Sequence, residues 1–264
     1  MKIAIFTSNA IRHKFFANTL AKTADDALVF SECKSNDASD RDKTDDQSPL
    51  IAEHFRLRYE TEKKFFTGND HFINKCVPLN FKEANLFSTY QIVKKFNPDL
   101  MFVFGSSIIR EPLLSLLPPG RFINLHLGIS PYYRGSGTNF WPFVNNELEY
   151  VGSTILHIDA GVDTGDIIVH VSPEIEEGDT VHTVGCKVIK SSIAMLEEIM
   201  KIVKSGMVLN RVKQWQISDG RYYRKKDFNE EVLSVYKSNL ENGIIKKYLE
   251  NPKKEIQLII SPKK

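Results

Sequence analysis

Between Arg121 and Ile168 the chain runs RFINLHLGISPYYRGSGTNFWPFVNNELEYVGSTILHIDAGVDTGDII, and three of its polar residues have the types needed for acid–base chemistry on a carbonyl group. Asn124 and His126 are one residue apart, so in an extended segment both side chains point to the same face. An amide donor and an imidazole then address one small volume. Asp163, inside GVDTGD, offers a carboxylate to complete the set. Such a trio suits acyl transfer to an amine: the amide and a protonated imidazole stabilise a developing oxyanion, and the carboxylate helps remove the proton that the attacking amine loses. Each piece alone also has a structural meaning, since a histidine at a strand end is often only hydrogen-bonded and Asp-Thr-Gly-Asp is also a turn sequence. His126 and Asp163 have no third ligand at zinc-like spacing, so no metal is expected. No G-x-S-x-G is present for a serine nucleophile.

The elements that must position these residues follow strand–turn–helix grammar. Lys2 to Phe6 is a short apolar strand followed by Thr7, Ser8, Asn9 and Ala10, and a helical pattern of Phe15, Phe16 and Leu20. The turn lacks G-x-G-x-x-G, so no dinucleotide fingerprint is present. Ser8 and Asn9 are expected either to cap the helix or, with Arg12 and His13 adding positive charge, to hold an anion at its N-terminus. A second strand spans Ala27 to Phe30, and a polar stretch near 34–49 has little to bury and is expected to be an insertion. From Leu50 a helical pattern returns, with His54, Arg58 and Glu62 along one row; a solvated or ion-paired face is expected there rather than a binding edge.

Ala84 to Phe96 is a further amphipathic helix, and the continuous apolar run Leu100 to Phe104 suits a central strand of a parallel sheet. The turn Gly105-Ser106-Ser107 lies at its carboxyl end, where ligands bind in open α/β sheets. A short helix is predicted over Ile108 to Leu117, then strands over Phe122 to Leu125, Tyr150 to His157 and Asp166 to His170. Asp179-Thr180 should cap a long amphipathic helix that stops at Gly206. The pattern is that of an α/β fold: a Rossmann-like, mostly parallel sheet with helices on both faces over 1–206, and a short C-terminal β/α appendage over 207–264. That last region holds a strand-like VKQWQI, a turn at Asp219-Gly220, the segment RYYRKKDF, a helix near Glu230 to Tyr236 and a lysine-rich tail.

With 264 residues and 42% hydrophobic content the chain can bury a full core. The 35 basic and 33 acidic residues nearly cancel, which argues against a nucleic-acid partner and for a small-molecule substrate. Cys33, Cys76 and Cys186 are widely spaced and form no C-x-x-C pattern, as expected of ordinary thiols in a reducing compartment. The first apolar run is too short for a signal peptide and no run approaches a membrane span. A cytoplasmic protein without a membrane partner is therefore expected.

The order Asn124-x-His126, then Ser130-Pro131-x-Tyr133-Arg134-Gly135, then Gly161-Val162-Asp163-Thr164-Gly165-Asp166 resembles the formyltransferase family that uses 10-formyltetrahydrofolate. Glycinamide ribonucleotide formyltransferase, methionyl-tRNA formyltransferase and the sugar-nucleotide N-formyltransferases belong to that family. The resemblance covers about Leu100 to Gly206. It implies the formyltransferase fold, Asn124, His126 and Asp163 as catalytic residues, and 10-formyltetrahydrofolate as co-substrate without a metal. It places the folate near Phe104, Gly105, Ser106, Ile108 and Ile109 and near Asp159, Gly161 and Val162. Leu127-Gly128-Ile129-Ser130-Pro131 departs from the Pro-Ser-Leu-Leu-Pro type sequence of many members, which leaves the path of that loop open.

The family's acceptors make different demands. Grip on an initiator tRNA comes in the family from a basic C-terminal domain of about a hundred residues, and Met207 to Lys264 is too short for it; Lys253, Lys254, Lys263 and Lys264 are expected to be solvated. The glycinamide ribonucleotide enzymes carry a Gly-rich first turn where this chain has FTSNAIRH. Thr138-Asn139-Phe140-Trp141-Pro142 is similar to what sugar-nucleotide N-formyltransferases carry in that place. The expected acceptor is therefore the amino group of a nucleotide-linked amino sugar, such as a 4-amino-4,6-dideoxy sugar for surface glycan or nonulosonic acid synthesis. Its expected contacts are Ser8, Asn9, Arg12, Tyr133, Arg134, Gly135, Thr138, Asn139, Phe140 and Trp141, with core packing as the alternative for the two aromatics. Arg221 to Lys226 either stacks a base and binds diphosphate or is a charge-protected edge strand, and aromatic residues there leave a homodimer open. Another small amine, an initiator tRNA, or a folate-binding protein without activity are the alternatives; the intact Asn124, His126 and Asp163 speak against the last.

Overall fold

The computed structural model describes residues 1–33, 48–218, 220–251 and 254–263. The expected insertion at 34–47, Asp219 of the expected turn, and Lys253 and Lys264 of the tail lie outside the described residues. The described residues form nine strands: β1 (Lys2–Ser8), β2 (Asp26–Glu32), β3 (Lys75–Leu79), β4 (Leu100–Phe104), β5 (Phe122–His126), β6 (Tyr133–Gly135), β7 (Ser153–His157), β8 (Ile167–Val171) and β9 (Arg221–Tyr223). Seven form one sheet in the order β3-β2-β1-β4-β5-β7-β8, and β6 pairs with β9. The pairings from β3 through β5 are parallel; β7 is antiparallel to both β5 and β8. The chain moves outward from β1 to β2 and β3 and returns on the other side of β1 as β4, creating the switch point beside which ligands bind in such sheets.

Alternation sorts the side chains of the parallel strands into two cores. Ile3, Ile5, Leu100 and Phe102 pack on one face with Phe16 and Leu20 of α1 (Ile11–Thr23), and with Ile193 and Leu196 of a later helix, α5 (Val181–Lys204). Ala4, Phe6, Phe30 and Met101 pack on the other face with Val93 of α3 (Phe87–Phe96). Burial on both faces is why these strands are continuous apolar runs. The helix α2 (Pro49–Phe65) lies against α5. Thr180 caps α5 as expected: its hydroxyl accepts from the Thr183 amide, and its own amide donates to the Thr183 hydroxyl.

A third cluster joins Tyr133, Phe140 and Trp141, Phe143 of α4 (Trp141–Asn145), Val184 and Val188 of α5, Leu233 and Tyr236 of α6 (Glu230–Glu241), and Ile244 and Ile245 of α7 (Ile244–Glu250). Residues after Met207 thus complete a core with the rest of the chain. The Trp141 and Tyr223 rings stack 3.9 Å apart, and Arg221 pairs with Glu147. Among the described residues no helix is long and apolar enough to cross a membrane.

Several local expectations are corrected. Ser8 and Asn9 do not cap α1: Ser8 stays in β1, its hydroxyl donating to the Glu32 carbonyl, and Ala10 is the N-cap residue without a side-chain bond. Residues 108–117 form an irregular stretch and turns instead of a helix: Pro112 has no N–H to donate to the Ile108 carbonyl, and the Asn85 side chain binds that carbonyl and the Arg110 amide. VKQWQI is not a strand, although Val212 makes an isolated antiparallel bridge to Ile167. The strand β3 was hidden by Pro78, which only an edge position tolerates.

The β6–β9 contact gives a stability test. Gly135 has φ +94°, and a Cβ there would sit 2.1 Å from the Tyr223 carbonyl oxygen; Gly178, at φ +87°, has open space around the same position. Gly178→Ala should cost about 1–2 kcal/mol from backbone conformation alone, and Gly135→Ala about 3 kcal/mol or more because the strand pair must also part. Urea unfolding of the two variants checks this; equal losses would mean that the contact adds nothing.

Candidate active site

Parallel pairing with β4 and antiparallel pairing with β7 fix β5 from both sides, with Asn124 opposite Val103 and Leu156, and His126 opposite Thr154. Alternation sends Leu125 into the core and leaves Asn124 and His126 on the other face. Asp163 comes from the loop between β7 and β8. Its Oδ1 accepts from Asn124 Nδ2 at 2.9 Å, and its Oδ2 lies 3.2 Å from His126 Nδ1. A carboxylate only accepts, so His126 Nδ1 carries the hydrogen. His126 Nε2 lies 3.4 Å from the Tyr133 carbonyl, another acceptor, so the site also accommodates a hydrogen on that nitrogen. Asn124 Nδ2 has a second hydrogen left for another oxygen.

Burial pushes the Asp163 carboxyl up, but the hydrogen bond and charge of His126, then the Asn124 amide and the Arg134 charge, outweigh it and hold it below the usual range. Asp163 is therefore anionic at neutral pH. Its loop is closed locally: the Thr164 hydroxyl and the Gly161 amide both donate to the Asp159 carboxylate. A Cβ on Gly165 would lie 1.7 Å from the His157 carbonyl oxygen, so only glycine lets the loop return this tightly to β8. The path of Leu127 to Pro131 is set by Thr154, whose hydroxyl donates to the Gly128 carbonyl and accepts from the Ser130 amide.

A cavity of about 680 Å³ opens beside the three residues, within the roughly 300–1,000 Å³ of small-molecule sites. All eight residues expected near the folate line it: Phe104, Gly105, Ser106, Ile108, Ile109, Asp159, Gly161 and Val162. Ile108 and Val162 are exposed apolar side chains on its wall, and the turn after β4 supplies backbone groups, so the segment fits a flat ring with a polar edge. Glu32, only 1% exposed, fixes that turn. Its carboxylate accepts from the Ser107 amide and hydroxyl and from the Lys82 amide. A carboxylate closing an apolar strand was the one sequence signal for it, and its partners lie too far along the chain to be read.

Of the residues expected to contact the acceptor, Ser8, Arg12, Gly135, Thr138, Asn139 and Phe140 line the cavity. Asn9, Tyr133, Arg134 and Trp141 do not. Tyr133 is in the core with its hydroxyl donating to Glu147, and Trp141 stacks on Tyr223 while its indole donates to the Ser136 carbonyl. Arg134 borders a separate depression with Gln214 and Trp215. Asn9 meets Ser8 through its side-chain oxygen.

Of the two expectations for the row His54, Arg58 and Glu62, the ion-paired one holds, since Arg58 pairs with Glu62, and the solvated one does not. His54 and Glu62 are buried, the row lines the cavity, and the His54 ring lies 4.5 Å from the ring of His182 of α5. Arg12 of α1 and Arg58 both donate to the Glu62 carboxylate, and together they hold its pKa down against the upward push of burial. The pattern of charges concealed this because the burial comes from α1 and α5. Among the described residues no group of three or more His, Cys, Asp or Glu is placed to hold a metal ion.

Comparison with known proteins adds to this geometry. A family model described as formyl transferase matches residues 1–199. A methionyl-tRNA formyltransferase from Desulforamulus reducens is 35% identical over 138 residues, covering 50% of this chain and 42% of that protein. The matched stretch is thus less than half the length of that relative. Two solved structures share the fold. One is an N-formyltransferase from Helicobacter canadensis in complex with folinic acid and dTDP-3-aminofucose, with TM-score 0.56, 18% identity and 87% and 73% of the two chains covered. The other is glycinamide ribonucleotide transformylase 1 from Symbiobacterium toebii, with TM-score 0.54, 17% identity and 82% and 94% covered.

His54 and His182 on the cavity wall give a test that needs no substrate. Burial above all, with the charge of Arg58 and for His54 the neighbouring His182, holds the His54 ring down at about 3 and the His182 ring down at about 4, against an ordinary 6.5. Both are neutral in the folded protein near pH 7. Below pH 6.5 the unfolded chain takes up protons that the folded chain refuses, so this contribution to stability is intact above that pH and is lost as pH falls toward 4 and then 3. Ring NMR signals should show both histidines neutral at pH 5, and His54→Phe should flatten the acid-side loss of stability. A His54 or His182 ring titrating near 6.5 would contradict the burial described.

Proposed function

The chain belongs to the formyl transferase family, and from that premise we propose that it moves a formyl group from 10-formyltetrahydrofolate to the amino group of a nucleotide-linked amino sugar. The observation that carries this reading is the Asp163 carboxylate shared between Asn124 Nδ2 and His126 Nδ1 on the wall of a cavity of about 680 Å³. The folate supplies an activated formyl carbonyl when bound, and the turn over 105–109 and the Asp159 to Val162 segment are the residues suited to hold it.

At that carbonyl, the free hydrogen on Asn124 Nδ2 and a His126 N–H donate to the oxygen as it gains charge when the acceptor nitrogen attacks. Such donors contribute on the order of 100- to 1,000-fold each when aimed at developing charge. Asp163, anionic at neutral pH, keeps the imidazole oriented and takes up the proton that the amine loses as its C–N bond forms. A proton returned through His126 to the departing folate nitrogen closes the cycle, so the amine is acylated with no net change in protons at the enzyme.

Thr138 and Asn139 beside Phe140 offer hydrogen bonds next to an apolar ring, which suits a deoxy sugar. Arg58 and Lys225 on the cavity wall suit the phosphates of a nucleotide, and the neutral rings of His54 and His182 suit its base. The fold shared with the structure holding dTDP-3-aminofucose supports this reading. An initiator tRNA is the second reading, favoured by the 35% identity to a methionyl-tRNA formyltransferase.

The test is incubation with 10-formyltetrahydrofolate and separate acceptors: a panel of amino-sugar nucleotides, glycinamide ribonucleotide and methionyl-tRNA. Tetrahydrofolate release with an amino-sugar nucleotide is expected; release only with one of the other two would overturn the acceptor assignment. His126→Ala and Asp163→Ala should remain folded and lose about 100- to 10,000-fold in turnover. A near-normal rate in either variant removes that residue from the mechanism.

A further inference from the structure

Asp163 has φ +53°, a left-handed backbone uncommon for residues with a side chain, though aspartate adopts it more readily than most. Besides the local bonds to Asp159, a residue from the C-terminal region braces this turn. Gln214 Nε2 donates to the Asp163 carbonyl at 2.7 Å and to the Gly165 carbonyl at 3.1 Å, spanning the turn from both sides. Carbonyls only accept, so these partners fix which way the amide faces. That orientation leaves Gln214 Oε1 buried without a hydrogen-bond partner in this structure. The amide is thus committed to the loop at the expense of its own acceptor.

The placement of Gln214 is set by backbone register. Val212 and Ile167 exchange two hydrogen bonds in an antiparallel bridge, Ile167 N to Val212 O at 2.7 Å and Val212 N to Ile167 O at 3.0 Å. Counting in opposite directions from this bridge, Gln214 falls opposite Gly165. One residue before the bridge, Arg211 pairs with Asp166, and Asn210 accepts from His157 Nε2. The segment 210–214 therefore runs as a strap along the exit of the acidic loop, with its amide end at Asp163.

We propose that Gln214 is a positioning residue: its amide holds the acidic loop in the left-handed turn that aims the Asp163 carboxylate at Asn124 and His126. The proposal rests on the acid–base role given to Asp163 above. Gln214 does not itself line the cavity, so it acts through the loop and not through a substrate. The charged and titratable groups that act directly on the Asp163 carboxyl are His126 and Arg134. Releasing the loop would weaken the hold of His126 and Asn124 on that carboxylate.

Gln214→Met tests this, because methionine keeps the length and bulk of the side chain and removes both donors. With the folded state checked by thermal melting, its kcat should fall about 10- to 100-fold while KM for the formyl donor changes less than about threefold. In the same variant the Asp163 carboxyl, followed by NMR with labelled aspartate, should titrate about one pH unit higher than in the wild type as its partners loosen. A kcat within about threefold of wild type, or an unmoved Asp163 titration, would overturn the proposal. A wild-type protein that transfers no formyl group to any acceptor would overturn the function proposed above, and the Asp163 titration would still decide the place of Gln214.

Discussion

One carboxylate with two partners is the constraint on which the site depends. Asp163 gives one oxygen to an amide and the other to an imidazole, and both partners stand on a single strand held between two neighbours. A buried carboxylate is stable as an anion only when such partners offset the loss of water. Removing either would leave the charge exposed to an apolar wall, so the arrangement works as a unit or not at all. The rest of the fold can be understood as the means of bringing this loop and this strand end together.

Three devices do so over different ranges. The sheet supplies the strand end, through the alternation that hides Leu125 and presents Asn124 and His126. Asp159, Thr164 and Gly165 shape the loop from within. The C-terminal region supplies a strap from outside and also completes the core around Trp141 and Tyr223. Glu32 does for the turn after β4 what Gln214 does for the acidic loop: a polar side chain from a distant segment sets a cavity-lining backbone.

How much of this was legible in the chain follows from the range of each interaction. Asn124 and His126 could be paired from the sequence because alternation is a local rule, and Leu100 to Phe104 was recognised as a central strand because burial on both faces leaves a continuous apolar run. Asp163 entered through the order of three motifs, since nothing local distinguishes it from a turn residue. Along the row His54, Arg58 and Glu62 the spacing shows the local Arg58–Glu62 ion pair but not its burial, which comes from α1 and α5, nor the arrival of Arg12 on the same carboxylate. Gln214 and Glu32 escaped for the same reason, as each acts on backbone far along the chain. Trp141 sat in a motif suggestive of substrate contact, yet its flat partner Tyr223 draws it into the core.

The central claim is that Asn124, His126 and Asp163 act together, and a double-mutant cycle on formyl transfer tests it most directly. Single-turnover rates would be measured for Asn124→Ala, Asp163→Ala and the double variant, using an acceptor that the wild type formylates. Because one carboxylate links the residues, the double variant should be about as slow as the slower single variant, the non-additivity shown by groups that act as a unit. Losses that multiply would mean that the two residues act independently, and would contradict the account.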